Sequence, residues 1–254
     1  MKKKIILVVG IILLVAGLVM GGIGLHKYLQ EKNAGNNYED LRVEFDVNPA
    51  VDIPEMDDGP VEVPVDFKSL TAQYPDIYAW IYIPGTNINY PILQREGNDE
   101  YYLNHTYDGR QRVEGAIFTD SEYNKKDFKD ANTVIYGHNM KNGSMFQNLH
   151  KYKNKQFFQE HTELYIYQEG RILRYRIFAA YVYDSRHLMM SFDFENPFEF
   201  DAYLNSVLTK KDMSSNIDTT VSVTSDDYII TLSTCNNNPA QRYLVQAVLL
   251  SIQE

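Results

Sequence analysis

From Ile5 to Leu25 the chain carries no charged residue, and Lys2, Lys3 and Lys4 stand immediately before that run. About 20 consecutive apolar residues are what a helix needs to cross a bilayer. The run is longer than the core of a cleavable signal peptide, and His26, Lys27 and Tyr28 follow it with no Ala-x-Ala cleavage pattern. An uncleaved signal-anchor is therefore expected over residues 5–25. The lysines place residues 1–4 in the cytoplasm and everything after Leu25 outside. Gly17 and Gly21 form a GxxxG pair, but glycines are common in membrane helices and the pair alone assigns nothing.

Charge and cysteine usage narrow the setting. The formal net charge is −10, and setting aside Lys2 to Lys4 leaves 21 basic against 34 acidic residues. A nucleic-acid surface needs a basic patch, so that class is excluded. A single cysteine rules out an intramolecular disulfide. Small secreted domains of eukaryotes usually carry several, whereas a chain of this length builds a core without them. An outward-facing domain on a single-membrane bacterial surface fits best.

Residues 26–65 are acidic (Glu39, Asp40, Glu44, Asp46, Asp52, Glu55, Asp57, Asp58, Glu62) and punctuated by Pro49, Pro54, Pro60 and Pro64. Such a segment buries little apolar surface and is expected to form an extended tether. Residues 66–254 form the folded domain. Phe67, Leu70, Thr71 and Tyr74 share a helical face. After Pro75 the pattern is mostly strands: Tyr78–Ile83 and Ile88–Leu93 around Pro84-Gly85-Thr86-Asn87, then Gly115–Thr119, Thr133–His138, Leu164–Tyr167 and Arg171–Tyr183. Pro197–Leu208 has helical spacing, and Tyr228–Leu232 and Arg242–Val248 read as a final strand pair. Many short strands with a helix or two predict a mostly β, closed barrel.

The lone cysteine, Cys235, ends the first strand of that pair, and Arg242 opens the second. Taken alone, a free thiol is more often a small buried hydrophobe than a nucleophile. Paired strands lie about 5 Å apart, so a hairpin sets the guanidinium opposite the thiol, where a cation favours thiolate. Of the six histidines, all precede Cys235, whereas papain-like proteases place theirs after the cysteine. His138 is the best partner. It closes the strand Thr133–Tyr136, and Gly137 gives backbone freedom just before it. His26, His150 and His161 read as surface residues, while spacing alone leaves His105 and His187 open. His138 and Cys235 fall short of the ligands zinc requires, no phosphate loop is present, and no cofactor is expected.

Tyr136-Gly137-His138-Asn139-Met140, then Gly143-Ser144-Met145-Phe146, Leu149 and Tyr152, resemble the histidine segment of class B sortases. Thr231-Leu232-Ser233-Thr234-Cys235 with Arg242 resembles the sortase cysteine signature, and the helix before the final strands is similar to class B. The resemblance covers about Phe67 to the C-terminus. It implies a membrane-anchored cysteine transpeptidase on an eight-stranded barrel, with an N-terminal helix and a helix inserted before the last strands. It implies Cys235 as nucleophile on a threonine carbonyl of an Asn-Pro-x-Thr-x sorting signal, His138 as acid and base, and Arg242 as oxyanion and substrate donor. Ser233, Tyr136, Leu103 and Thr234 are the implied substrate contacts. The implied partners are a signal-bearing secreted protein or pilin and an amine of the cell-wall cross-bridge or a pilin lysine. One departure is the loop Asn236–Gln241, which is short and uncharged where longer, often acidic loops are usual.

Two other classes fit the residues: a thiol peptidase that only hydrolyses such a signal, and a non-enzymatic surface scaffold. For an unperturbed thiol and imidazole, ordinary values near 8.5 and 6.5 leave only about 1% of molecules with both groups charged. A bell-shaped pH dependence of turnover is expected, and a rate rising steadily to about pH 10 would exclude the scheme.

Overall fold

The strands that follow Pro75 close on themselves. The computed structural model describes residues 2–47 and 61–254. After three N-terminal helices, α1 (Lys2–Asn33), α2 (Asn36–Glu44) and α3 (Phe67–Gln73), come β1 (Ile77–Tyr82), β2 (Asn89–Leu93), β3 (Ile117–Phe118) and β4 (Asn132–Tyr136). A 3-10 run over Phe146–Lys153 leads into α4 (Lys155–Glu160), β5 (Glu163–Gln168) and β6 (Arg171–Asp184). Then follow α5 (Leu188–Ser191), α6 (Pro197–Leu208), β7 (Asn216–Ile217), β8 (Ile229–Cys235) and β9 (Gln241–Gln253).

The order β5-β1-β2-β3-β4-β8-β9-β6 returns to β5 through the β5–β6 pairing, which makes a closed eight-stranded barrel with β7 appended to β6. Closure removes the exposed edges that an open sheet would present. Side chains alternate between faces along each strand, and Ile81, Ile92, Ile135, Ile166, Leu173, Ile177, Leu232 and Val245 fill the interior with no exposure. The β1–β2 hairpin turns as expected. Thr86 N–H reaches the Ile83 carbonyl (3.3 Å), and Gly85 has a φ of 76°, which a type II turn demands at that position.

Two helical layers cover the outside. On one side, Phe67 and Leu70 of α3 pack with Trp80 and Tyr167. On the other, Phe200, Tyr203, Leu204 and Val207 of α6 fall at i, i+3, i+4, i+7 and cover Val134, Phe178, Leu244 and Val248. Each of these side chains contributes about 2 kcal/mol by leaving water. The Asn196 side chain accepts from Phe198 N–H and Pro197 takes the first helical position, which starts α6 where the sequence predicts it.

α1 is 32 residues long, or about 48 Å, against a hydrocarbon core of about 30 Å. Its apolar residues from Ile11 to Leu25 are unburied, and the helix is a candidate membrane anchor. The expected tether is not what the described part of residues 26–65 forms. Residues 26–33 continue α1, and α2 docks on the barrel with Tyr38 and Leu41 fully buried. The acidic residues Glu39, Asp40 and Glu44 sit on the exposed face of α2, so average composition conceals two apolar anchors three residues apart. Residues 48–60 of that segment lie outside the described residues.

Candidate active site

Strand direction brings distant parts of the sequence to one rim. β4 and β8 pair in parallel, with Tyr136 opposite Ser233, so both strands end on the same side of the barrel. β8 and β9 pair antiparallel with Cys235 directly opposite Arg242, as the hairpin reading expects. Parity then selects the face. Asn132, Val134 and Tyr136, Thr231, Ser233 and Cys235, and Arg242, Leu244 and Gln246 all point away from the interior, towards α6 or the cleft beyond it. A slip of one residue in β8 would send the thiol into the barrel.

The cleft has a volume of about 210 Å³. His138, Cys235 and Arg242 line it together with Leu103, Tyr136, Ser233 and Thr234, so every expected site residue lies in one place. Tyr183 at the end of β6, Leu188 at the start of α5, and Ser185, Arg186 and His187 between them complete the wall. The Cys235 thiol is exposed at the strand end.

His138 is held by a backbone carbonyl. Its Nε2 lies 2.6 Å from the oxygen of Leu103. A carbonyl only accepts, so Nε2 carries the hydrogen and Nδ1 is left to exchange a proton. Gly137 is required for space rather than for an unusual backbone: a Cβ there would come within 2.5 Å of Ile117 Cδ1 and 2.7 Å of the Phe146 ring. That corrects the expectation of backbone freedom. Arg242 donates one amino group to the carbonyls of Pro239 (3.1 Å) and Gln241 (3.0 Å), which fixes the guanidinium at the mouth of the hairpin. Thr234, although buried, donates its hydroxyl to the Gly137 carbonyl (2.8 Å), so at the cleft lining it also braces β8 against the histidine segment.

Three groups at the site have no role assigned from the sequence. The Cys235 carbonyl accepts from Asn139 Nδ2 and from His150 Nε2, each at 3.1 Å. His150, expected at the surface, is half-buried and stacks on Tyr243 at 5.0 Å. The cause is the 3-10 run, in which residues three apart eclipse. Phe146, Leu149 and Tyr152 fill the core while His150 and Lys153 share the edge facing the Cys235–Arg242 loop. The third group is a polar pair in the wall. His187 Nε2 lies 3.0 Å from Asp120 Oδ2 and 3.2 Å from the Tyr136 hydroxyl. Burial first, then Asp120, pushes Tyr136 well above the ordinary tyrosine range, so it stays a neutral hydroxyl. His105, by contrast, stacks on Tyr101 at 4.0 Å outside the cleft lining.

Burial, with Lys153 beside it, lowers the His150 imidazole below its ordinary value. Folding thus favours the neutral ring, and that contribution is complete above about pH 6.5 and lost as pH falls through the lowered value. His150→Gln keeps a donor for the Cys235 carbonyl and removes the titration. Its melting temperature should fall less than that of the wild type between about pH 7 and pH 5. Parallel melting curves for the two proteins would contradict this.

The family model of the Sortase domain matches residues 81–250. Sortase B of Listeria monocytogenes is 40% identical over 177 residues, 69% of each chain. Sortase B of Staphylococcus aureus is 28% identical over 253 residues, 98% of each chain. The Staphylococcus aureus sortase B–substrate complex superposes with a TM-score of 0.64 at 31% identity, covering 73% of this chain and 84% of that one. The chain therefore belongs to the sortase family of cysteine transpeptidases, in the sortase B group. Enzymes of this family act at the cell surface on proteins that carry a sorting signal.

Proposed function

We propose that the enzyme cleaves an Asn-Pro-x-Thr-x type signal after threonine and passes the acyl group to an amine of the cell wall or of a pilin. The observation that supports this reading is the register that converges His138, Cys235 and Arg242 on one cleft. In the proposed sequence, the Cys235 thiolate attacks the threonine carbonyl, and charge develops on its oxygen. Arg242, opposite on β9, donates to that oxygen and to the peptide. Collapse of the intermediate breaks the C–N bond, the amine leaves with a proton from His138, and a thioester remains. The incoming amine attacks the thioester, His138 takes its proton, and the thiolate is released. Ser233, Tyr136 and Leu103 border the path of the peptide.

The proposed topology puts residues 1–4 in the cytoplasm, residues 5–25 of α1 across the membrane and the barrel outside, consistent with the three lysines before the apolar run. Mass spectrometry after incubation with an Asn-Pro-x-Thr-x peptide should find the acyl group on Cys235, and triglycine should yield a ligated product. Acylation elsewhere, or none with any such peptide, would overturn the assignment.

A further inference from the structure

We propose that the juxtamembrane segment, residues 32–38, is a positioning element for the catalytic imidazole, with Tyr38 and Asn142 as the positioning side chains. This rests on the reading of His138 as the proton-transfer group. The ring is oriented by the Leu103 carbonyl, and that carbonyl has little freedom of its own. It belongs to a 3-10 turn, Tyr101–Leu103, whose backbone lies directly on Gly115. A Cβ at Gly115 would run into the Tyr102 oxygen and sit 2.8 Å from the Leu103 oxygen, and its φ of +54° excludes most side chains as well. Ala116 N–H donates to the Tyr102 carbonyl (2.9 Å), locking turn and strand together. The Gly115 carbonyl in turn accepts from the Tyr38 hydroxyl at 2.6 Å. Tyr38 is fully buried in α2, and burial with Glu114 nearby keeps it a neutral donor. One chain of contacts thus runs from α2 through Gly115 and Leu103 to His138.

A second chain grips the other side of the histidine. Asn142, in the loop that follows His138, donates Nδ2 to the carbonyls of Ala34 (2.8 Å) and Lys32 (3.3 Å) at the end of α1. Gly35 passes so close to Ser144 that a Cβ there would lie 2.8 Å from Ser144 Cβ. The loop closes at Met145, whose φ of 56° is unusual for a side chain of that size. Its N–H is held by the Tyr90 hydroxyl (3.0 Å), and the Tyr90 ring packs edge-on against Tyr38 at 5.3 Å. Phe146 N–H then returns to the His138 carbonyl (2.9 Å). Both routes to the imidazole, through its carbonyl partner and through its loop, end on the residues that join anchor to barrel. The segment is part of the site's frame.

The test uses the full-length chain in lipid nanodiscs with histidine labelled at the ring nitrogens, His138 being identified by its loss in His138→Gln. The wild type should show the Nε2–H tautomer. Tyr38→Phe, which keeps the ring and loses the donor, and Asn142→Ala, in an exposed loop, should both show a mixture of tautomers. Turnover per titratable thiol should fall by about 10- to 100-fold in each, with KM unchanged, as expected when a reacting group is misplaced without loss of binding. Identical ring spectra in all three proteins would overturn the inference, as would variants whose turnover per thiol stays within about twofold of wild type. A wild-type chain that forms no thioester would overturn the functional reading instead, and the ring spectra would still decide this one.

Discussion

Cys235→Ala should abolish thioester formation and lower turnover by at least about 10⁴-fold, the scale seen when a covalent nucleophile is removed. The same change should leave the fold intact. Cys235 is exposed at the end of β8, so truncation opens no cavity, and substitutions at such positions usually stay within about 0.5 kcal/mol. Peptide affinity is therefore measurable in the inactive variant. Retained ligation by Cys235→Ala would dismiss the nucleophile assignment. A melting temperature several degrees lower would show instead that the thiol serves packing.

The largest expected loss of stability comes from Gln246→Leu. Gln246 Nε2 donates to Tyr203 Oη (2.7 Å) and Thr231 Oγ1 (2.8 Å), Thr231 donates to Asn132 Oδ1 (2.8 Å), and the Tyr181 hydroxyl meets Tyr203 and Gln246. Every member is at most 2% exposed. This network ties β4, β8 and β9, the strands that lead to His138, Cys235 and Arg242, and docks α6 on them. Leucine fills the space but takes one hydrogen-bond partner from each of three buried hydroxyls, Tyr203, Thr231 and Tyr181, at about 1 kcal/mol each. A total near 3 kcal/mol corresponds to a melting temperature lower by roughly 6–12 °C for a domain of this size. Activity should fall with it below the melting range, because the strands lose their common brace. A shift of less than about 2 °C would mean the network is energetically neutral, as fully replaced buried polar groups sometimes are.

What could be read from the residues alone was what is encoded locally. Period-2 runs, the Pro84-Gly85 turn and the spacing of α6 each depend on neighbours within a few positions, and all three form as expected. Cys235, His138 and Arg242 stand out in the sequence because the thiol is single and their local contexts are distinctive, and the structure brings all three to one cleft. The missed features all depend on contacts between remote segments. α2 docks through Tyr38 and Leu41 amid acidic residues that suggest a tether. His150 reaches the Cys235 carbonyl only because a 3-10 run rotates it there. Gly137 looks like a hinge until the Ile117 and Phe146 side chains beside it are known, and the Asp120–His187 pair joins residues 67 positions apart.

The placement of β9 between β8 and β6 has a consequence for biogenesis. The histidine strand β4 is synthesised early, but β9 is the wedge that joins β8 to β6 and carries Arg242. Until it is inserted the barrel is open, and non-local pairings of this kind form slowly. In the proposed topology, a chain emerging through the membrane would hold the thiol apart from its arginine until residues 241–253 arrive. Under the proposed mechanism, the site is complete only once the barrel has closed.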